Sequence, residues 1–322
     1  MPNLAQLMLL VKPRWRREVV VTGVGVSLTD YAVAIPLDIR DRVAVKFPAV
    51  YAVDESGSVL PAVVDKYMWT LGTPLVWVKI PSLPAGAAKT IYLYYGAARP
   101  VHLFRYSDVF IYGDDFQDPS FTDAYWSKSV YGDPSVTLSF IGSALRMSGS
   151  FPNTAVYQLY KPGVSYSPGK HHQYVVRSSY TGTGNIHAPR MDVGGDSAGR
   201  AVFIFYLQNA WRVATWSSAE GEVARYTVTG YPREWVVVDV YVTASGYRFL
   251  VRSLERAVTV MNYTFSTTPT SALPRFGIRN YSGSTQTLDA VFYHVLFRHY
   301  VSPEPSVSVG AEEEVYRYPD TV

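Results

Sequence analysis

The 322-residue chain contains no cysteine. Disulfides, thiolate metal ligands and cysteine nucleophiles are therefore excluded. Charge is scarce and nearly balanced: 17% of residues are charged, with 29 Lys and Arg against 26 Asp and Glu, for a net charge of +3. That excludes a disordered chain and predicts neither nucleic acid as a partner nor broad attraction to anionic membrane. No run of 18 apolar residues occurs, so no transmembrane helix and no membrane insertion are expected. Asn and Gln total only 12, while Arg outnumbers Lys 21 to 8. Few thermolabile amides and many arginines point to a hot habitat, with unfolding expected above about 60 °C. None of the six histidines is paired as H-x-x-x-H or H-E-x-x-H, so no structural zinc is expected.

What the chain does have is strand-forming residues. Tyrosine alone numbers 26, and 48% of the residues are hydrophobic. Short β-branched or aromatic runs, among them Glu18 to Val26, Ala32 to Leu37, Val43 to Val53, Leu75 to Ile80 and Thr90 to Tyr95, are bounded by Gly, Pro, Asp or Ser. The second half continues the pattern from Val136 to His299, with Asn209-Ala210 as a hairpin turn. Phe203, Phe205 and Leu207 share one strand face, and Ile204, Tyr206 and Gln208 share the other. No dozen residues show a capped 3.6 period. The expectation is an all-β protein of two tandem antiparallel β-sandwiches, since the length suits two domains. The boundaries read as an N-terminal extension over 1–12, a sandwich over 13–108, a second over 109–310 and a tail over 311–322. Residues 180–200, with Thr181-Gly182-Thr183-Gly184, read as a long mobile loop in which His187, Arg190 and Asp192 offer a polar contact surface.

The apolar stretch from Leu4 to Val11 lacks a preceding basic region and a following cleavage site, so it does not read as an ordinary signal peptide. It reads as an edge strand or docked extension. A sharper alternative is a donor strand, in which Leu4, Leu7, Leu9, Leu10 and Val11 complete a neighbouring subunit's sheet.

Two spaced sets of residues carry resemblances. Trp15-Arg16-Arg17, Leu28-Thr29-Asp30-Tyr31, Asp54-Glu55-Ser56-Gly57, Trp77 to Pro84 and Ile91 to Gly96 make residues 13–112 resemble a domain of unknown function of bacterial and archaeal surface proteins. Val109 to Phe116 with Trp126, Trp235 to Val238 with Tyr247-Arg248-Phe249, and Phe276 to Arg279 with Leu288 to Val291 and Tyr300 to Pro305 make residues 109–310 resemble a concanavalin A-like, laminin-G-type jelly roll. The pair implies two β-sandwiches and an extracellular or surface setting without implying a defined activity; with no signal peptide read, the expected location is a virion surface or a cell surface.

Candidate chemistry is sparse. The motif of jelly-roll glucanases, Glu-x-Asp-x-x-Glu, is absent, and Glu220-Gly221-Glu222 reads as turn charges. There is no G-x-S-x-G. Laminin-G-type modules often hold calcium, and Asp192 and Asp196, flanking Gly194-Gly195, are the candidate ligands, with turn chemistry as the competing reading. No other cofactor is expected. Tyr206, Trp211, Trp216 and Tyr231 are the candidates for stacking on sugars. Trp211 and Trp216 have opposite parity on one strand, so one faces inward. Asn262-Tyr263-Thr264 and Asn280-Tyr281-Ser282 fit the glycosylation triplet. The leading expectation is a non-enzymatic structural or adhesive protein, a virion or surface filament subunit that self-associates by strand addition. The alternatives are a carbohydrate-binding module recognising cell-surface glycans, and a glycoside hydrolase or lyase.

Overall fold

A computed structural model describes residues 4–42, 49–70, 73–97, 101–164, 168–178, 186–231 and 233–315. The start of the expected strand at Val43, the Thr181–Gly184 stretch and the tail from residue 316 lie outside them. The chain forms two units, one of residues 1–113 and 301–322, the other of residues 114–300. Both are antiparallel β-sandwiches.

The first unit opens with α1 (Leu4–Val11), followed by β1 (Trp15–Thr22), β2 (Leu28–Pro36), β3 (Tyr51–Asp54), β4 (Val59–Leu60), β5 (Ala62–Val64), α2 (Lys66–Thr70), β6 (Leu75–Leu83), β7 (Ala88–Tyr95) and α3 (Tyr106–Val109). Strands β1-β7-β3-β4 lie side by side in one sheet, and β2-β6-β5 form another. The period-2 pattern sends Val19 and Val21 of β1 and Ile91, Leu93 and Tyr95 of β7 into a core with Val33 and Ile35 of β2 and Val76, Val78 and Ile80 of β6. The alternate residues of β7 and β3, Tyr94, Tyr51 and Val53, build a second cluster on the other side of the sheet.

That second cluster corrects the reading of the N-terminus. Leu4 to Val11 is a helix, not an edge or donor strand. Its Leu, Ala, Gln and Met residues are strong helix formers. Leu4, Leu7, Met8 and Val11, spaced i, i+3, i+4 and i+7, pack on Tyr51, Val53 and Tyr94. Lys12, with φ of 45°, and Pro13 end the helix. The assembly candidates thus separate: Leu7 and Val11 are buried in their own unit, Leu4 packs beside them, and Leu10 is 62% exposed. The side chain of Leu9 lies outside the described residues.

The second unit follows β8 (Tyr112–Asp114) with α4 (Pro119–Tyr125), β9 (Ser127–Tyr131), β10 (Ser135–Phe140), β11 (Leu145–Phe151), β12 (Val156–Tyr160), β13 (Lys170–Ser178), β14 (Ile186–Gly195), β15 (Ala201–Leu207), β16 (Ala210–Ser217), β17 (Gly221–Thr229), β18 (Val236–Thr243), β19 (Gly246–Ser253), β20 (Thr259–Ser266), β21 (Arg275–Asn280) and β22 (Gln286–His299). One sheet runs β10-β11-β22-β13-β18-β19-β20, and the other, of seven strands, runs β17-β16-β15-β14-β21-β12-β9. Buried Asp114 explains the opening motif: it accepts hydrogen bonds from the Trp126 indole (2.9 Å), the Thr122 hydroxyl (2.8 Å) and the Phe116 N–H (2.8 Å). The β15–β16 turn falls one residue earlier than the expected Asn209-Ala210, on Gln208 and Asn209, whose φ of 48° and 61° make the left-handed pair that a tight hairpin needs. The loop expected over 180–200 is corrected for its second half, because Ile186–Gly195 is a central strand. Its apolar residues are interrupted by Pro189, Arg190 and Asp192, which masked the strand pattern.

The chain then returns. Residues 301–310, expected in the second domain, and 311–314, expected in a separate tail, include β23 (Ser306–Glu314), which lies beside β1 at the edge of the first unit's sheet. Val307 and Val309 pack on the first core. The three consecutive glutamates of that expected tail are held by arginines. Arg14 meets Glu314 at 3.0 Å, Arg16 meets Glu313, and Arg42 meets Glu312 at 2.8 Å, where the Tyr95 hydroxyl also donates at 2.6 Å.

Candidate binding site

The two faces of the seven-stranded sheet are told apart by Phe276 of β21. Its ring packs on Phe292 and Tyr174 of the opposing sheet, so Phe276 faces inward. Its neighbours Arg275, Gly277 and Arg279 therefore face outward. The register carries this parity across the sheet. Arg190 lies opposite Gly277 and Phe205, and Asp192 lies opposite Arg275 and Phe203. Arg212 lies opposite Phe205, Trp216 opposite Ala201 and Glu222, and Gln158 opposite Gly277.

The floor of this outward face is aromatic and buried. Phe203 and Phe205 are covered by polar groups: the Arg190 guanidinium lies 3.6 Å from the Phe203 ring centre, and the His187 ring stacks on Phe205 at 3.7 Å. Above the floor runs a chain of hydrogen bonds. Arg190 donates from Nη1 to His187 Nδ1 (3.0 Å) and from Nε to Asp192 Oδ1 (2.6 Å). Gln158 Nε2 donates to the other Asp192 oxygen at 2.9 Å. His187 Nε2 faces Glu222 Oε2 at 3.2 Å. An arginine can only donate, so Nδ1 accepts and the proton sits on Nε2, aimed at Glu222.

Burial sets the charge states. It pushes His187 down to about 4, with Arg190 and Arg279 adding to the shift against the opposing pull of Glu222, so the ring is neutral at pH 7. Burial pushes Glu222 up, but His187, Arg190 and Arg279 outweigh it and hold the carboxyl below its ordinary range. Arg279 is drawn down to about 10 by burial and by Arg190, which leaves it a cation. Its guanidinium lies 3.9 Å from the Tyr281 ring centre. Around the buried Phe203, Phe205, His187 and Arg190 stand Asp192, Glu222, Arg279 and Tyr281, each partly exposed, and Trp216, exposed at 39%.

The aromatic candidates do not gather. Trp211 is buried and faces inward, edge-on to Tyr206, which is buried as well. The Tyr206 hydroxyl donates to the Tyr231 carbonyl at 2.9 Å. Both are corrected to core residues, placed inward by the same alternation that turns Trp216 out. Tyr231 follows β17, with the Arg256 guanidinium over its ring at 4.7 Å. Only Trp216 stands on the outward face.

The calcium candidates are corrected too. Asp196 is buried and accepts from the backbone N–H of Ala198 (3.0 Å) and Arg200 (2.9 Å) and from Arg200 Nε (2.7 Å), a turn-closing carboxylate. Asp192 is committed to Arg190 and Gln158. Among the described residues no three His, Asp or Glu side chains gather as a metal would need. Asn280 is buried and donates to the carbonyls of Phe151, Pro152 and Ser284, so its glycosylation triplet is unavailable. Glu220 and Glu222 also part: Glu220 pairs with Arg200 at 3.3 Å, whereas Glu222 belongs to β17 and the outward face.

Sequence reading found His187, Arg190 and Asp192 but placed them in a loop, and missed Gln158, Arg212, Arg275, Arg279 and Tyr281. The signal was present. Arg275-Phe-Gly-Ile-Arg279 alternates charge and apolar side chains, which puts both arginines on one strand face.

Residues 42–129 match the family described as a domain of unknown function (DUF2341), a little over a quarter of the chain. No curated protein matches. Among solved structures the chain is similar to a protein of unknown function from Shewanella oneidensis MR-1, at 12% identity and a TM-score of 0.44, covering 59% of this chain and 86% of that one. It is also similar to a protein of unknown function with a galectin-like fold from Bacillus subtilis, at 9% identity and a TM-score of 0.42, covering 59% and 96%. A third is a beta-1,3-glucanase from Mycobacterium marinum, at 13% identity and a TM-score of 0.41, covering 58% and 98%.

Proposed function

We propose that the second unit is a carbohydrate-binding module that takes sugar on the outward face of its seven-stranded sheet and does so outside the cell. The observation that carries this reading is the make-up of that face. One exposed indole, Trp216, shares that face with partly exposed hydrogen-bonding groups from four strands and Tyr281, and lies opposite Glu222 in register. Sugars are recognised by such pairings of an aromatic platform with convergent polar groups. Binding without catalysis is the simpler chemistry here. Asp192 is engaged by Arg190 and Gln158, and Glu222 by His187. Glu222 is held below its ordinary range rather than raised toward the near-neutral range that a glycosidic general acid uses.

The test is a glycan array probed with the whole chain and with Trp216→Ala and Trp211→Ala. Trp216→Ala is expected to weaken binding at least tenfold and leave stability within about 0.5 kcal/mol. Trp211→Ala is expected to cost about 3–5 kcal/mol of stability, because it empties a core site. A protein that binds no glycan on the array overturns the proposal.

A further inference from the structure

The outward face of the seven-stranded sheet holds more guanidinium than carboxylate. Its arginines are Arg190, Arg212, Arg275 and Arg279; its acids are Asp192 and Glu222. Asp192 is taken by Arg190 and Glu222 by His187. Arg212, Arg275 and Arg279 have no ion pair among the described residues. Two of them go further. The Nε atoms of Arg212 and Arg279 are buried and have no hydrogen-bond acceptor among the described residues, and neither has the buried Tyr281 hydroxyl beneath Arg279 a partner among them. Leaving such donors unmade is costly, so a group that supplies acceptors there gains more than it would at a water-filled surface.

Resting on the sugar-binding reading of this face, we propose that its ligand is an acidic polysaccharide, whose carboxylate or sulfate groups are received by Arg279 together with the Tyr281 hydroxyl, and by Arg212. A neutral hydroxyl would satisfy a donor but leave the positive charge unmatched. An anion does both, in charge-assisted bonds roughly twice as strong as neutral ones. The planar guanidinium fork fits a carboxylate or sulfate edge in a way that an ammonium does not. His187 stays neutral and points its Nε2 proton at Glu222, so it adds no charge to the face.

The experiment uses the full chain and calorimetric titration with three polymers: polygalacturonate for carboxylate, dextran sulfate for sulfate, and laminarin as a neutral glucan, each at low and at physiological salt. Binding to one of the two acidic polymers at least tenfold tighter than to laminarin is expected, and which one binds assigns the anion. Arg279→Gln is expected to weaken it at least tenfold, and Arg279→Lys to give an intermediate loss. Thermal unfolding of each variant checks that it folds, and Arg212→Gln gives the same reading should Arg279→Gln not fold. Arg40→Gln, at an exposed site of the first unit, is the control for diffuse attraction of polyanions to a cationic protein. Laminarin bound as tightly as the acidic polymers overturns the acidic assignment and leaves the sugar-binding reading standing. An equal loss from Arg40→Gln and Arg279→Gln also overturns it. No binding to any of the three, with no hit on the glycan array, removes both.

Discussion

The second unit builds the same three-part relay twice, once in each sheet. In the seven-stranded sheet, Arg190 donates to His187 Nδ1 and His187 Nε2 faces Glu222. In the other sheet, Arg298 Nε donates to His171 Nδ1 at 3.0 Å and His171 Nε2 faces Asp239 at 2.8 Å. Both rings are buried, and both carry the proton on Nε2. The difference lies in the carboxylate. Asp239 is fully buried and receives two further donors, Gln173 at 2.9 Å and Arg252 at 2.7 Å. Glu222 is partly exposed and, among the described residues, meets His187 alone. One relay is sealed and serves the fold. The other ends at a rim on the face that carries Arg212, Arg275 and Arg279, which make no ion pair among the described residues. A buried His–carboxylate pair is therefore no sign of function by itself; what surrounds its acid decides.

The strongest way to break this comparison is Asp239→Ala. It strands His171 and Arg252 around a buried void, and the expected loss is roughly 3–5 kcal/mol in denaturant unfolding. A loss below about 1 kcal/mol would show that the sealed relay contributes little. An acid titration of stability separates the two relays without mutation. His187 is held near 4, below the 6.5 of a free imidazole, so its contribution is whole above pH 6.5 and fades as pH falls toward 4. Burial pushes Asp239 up, but His171, Arg252 and Gln173 outweigh it and hold it at about 2, so its contribution is whole above about pH 4 and is lost only below that. Two successive declines are expected on acidification; buried His172, also held well below 6.5, shares the first, so His187→Gln should shrink the first decline and leave the second unchanged. The smallest effect is expected from Glu222→Gln, because its amide oxygen still accepts from His187 and the site is partly solvated. A cost of less than about 1 kcal/mol is predicted, against the much larger cost at Asp239.

How legible all this was from sequence depends on the scale of the signal. The all-β class was open to reading because Val, Tyr and Phe alternate over many short runs, as in β1 and β15, and period-2 burial follows directly. The inward and outward sets of β15 were read from the same alternation. The helix over Leu4 to Val11 was missed because an almost wholly apolar octet hides its 3.6 period, and only its docking on Tyr51, Val53 and Tyr94 selects a face. The fate of Glu312 to Glu314 depended on arginines some 270 to 300 positions away, which no local pattern records. The site was half visible. His187, Arg190 and Asp192 are close in sequence, but Glu222 and Arg279 reach them only through strand register. Asp192 and Asp196 suggested a metal as two acids across a flexible glycine pair in a laminin-G-like module; each carboxylate instead pairs with an arginine and accepts further hydrogen bonds.

The return of residues 306–314 to lie beside β1 has a consequence for the order of events during synthesis. Most chains finish their first-made domain first. Here the first unit emerges from the ribosome with the edge of β1 unpaired, and it stays open while the whole of the second unit is being made and folded. An open strand edge invites pairing with the wrong chain. The arginines at the start of β1 bear on that interval: Arg14, Arg16 and Arg17 repel the same edge of a neighbouring nascent chain, and the run of glutamates made after the second unit carries the charge that fits them.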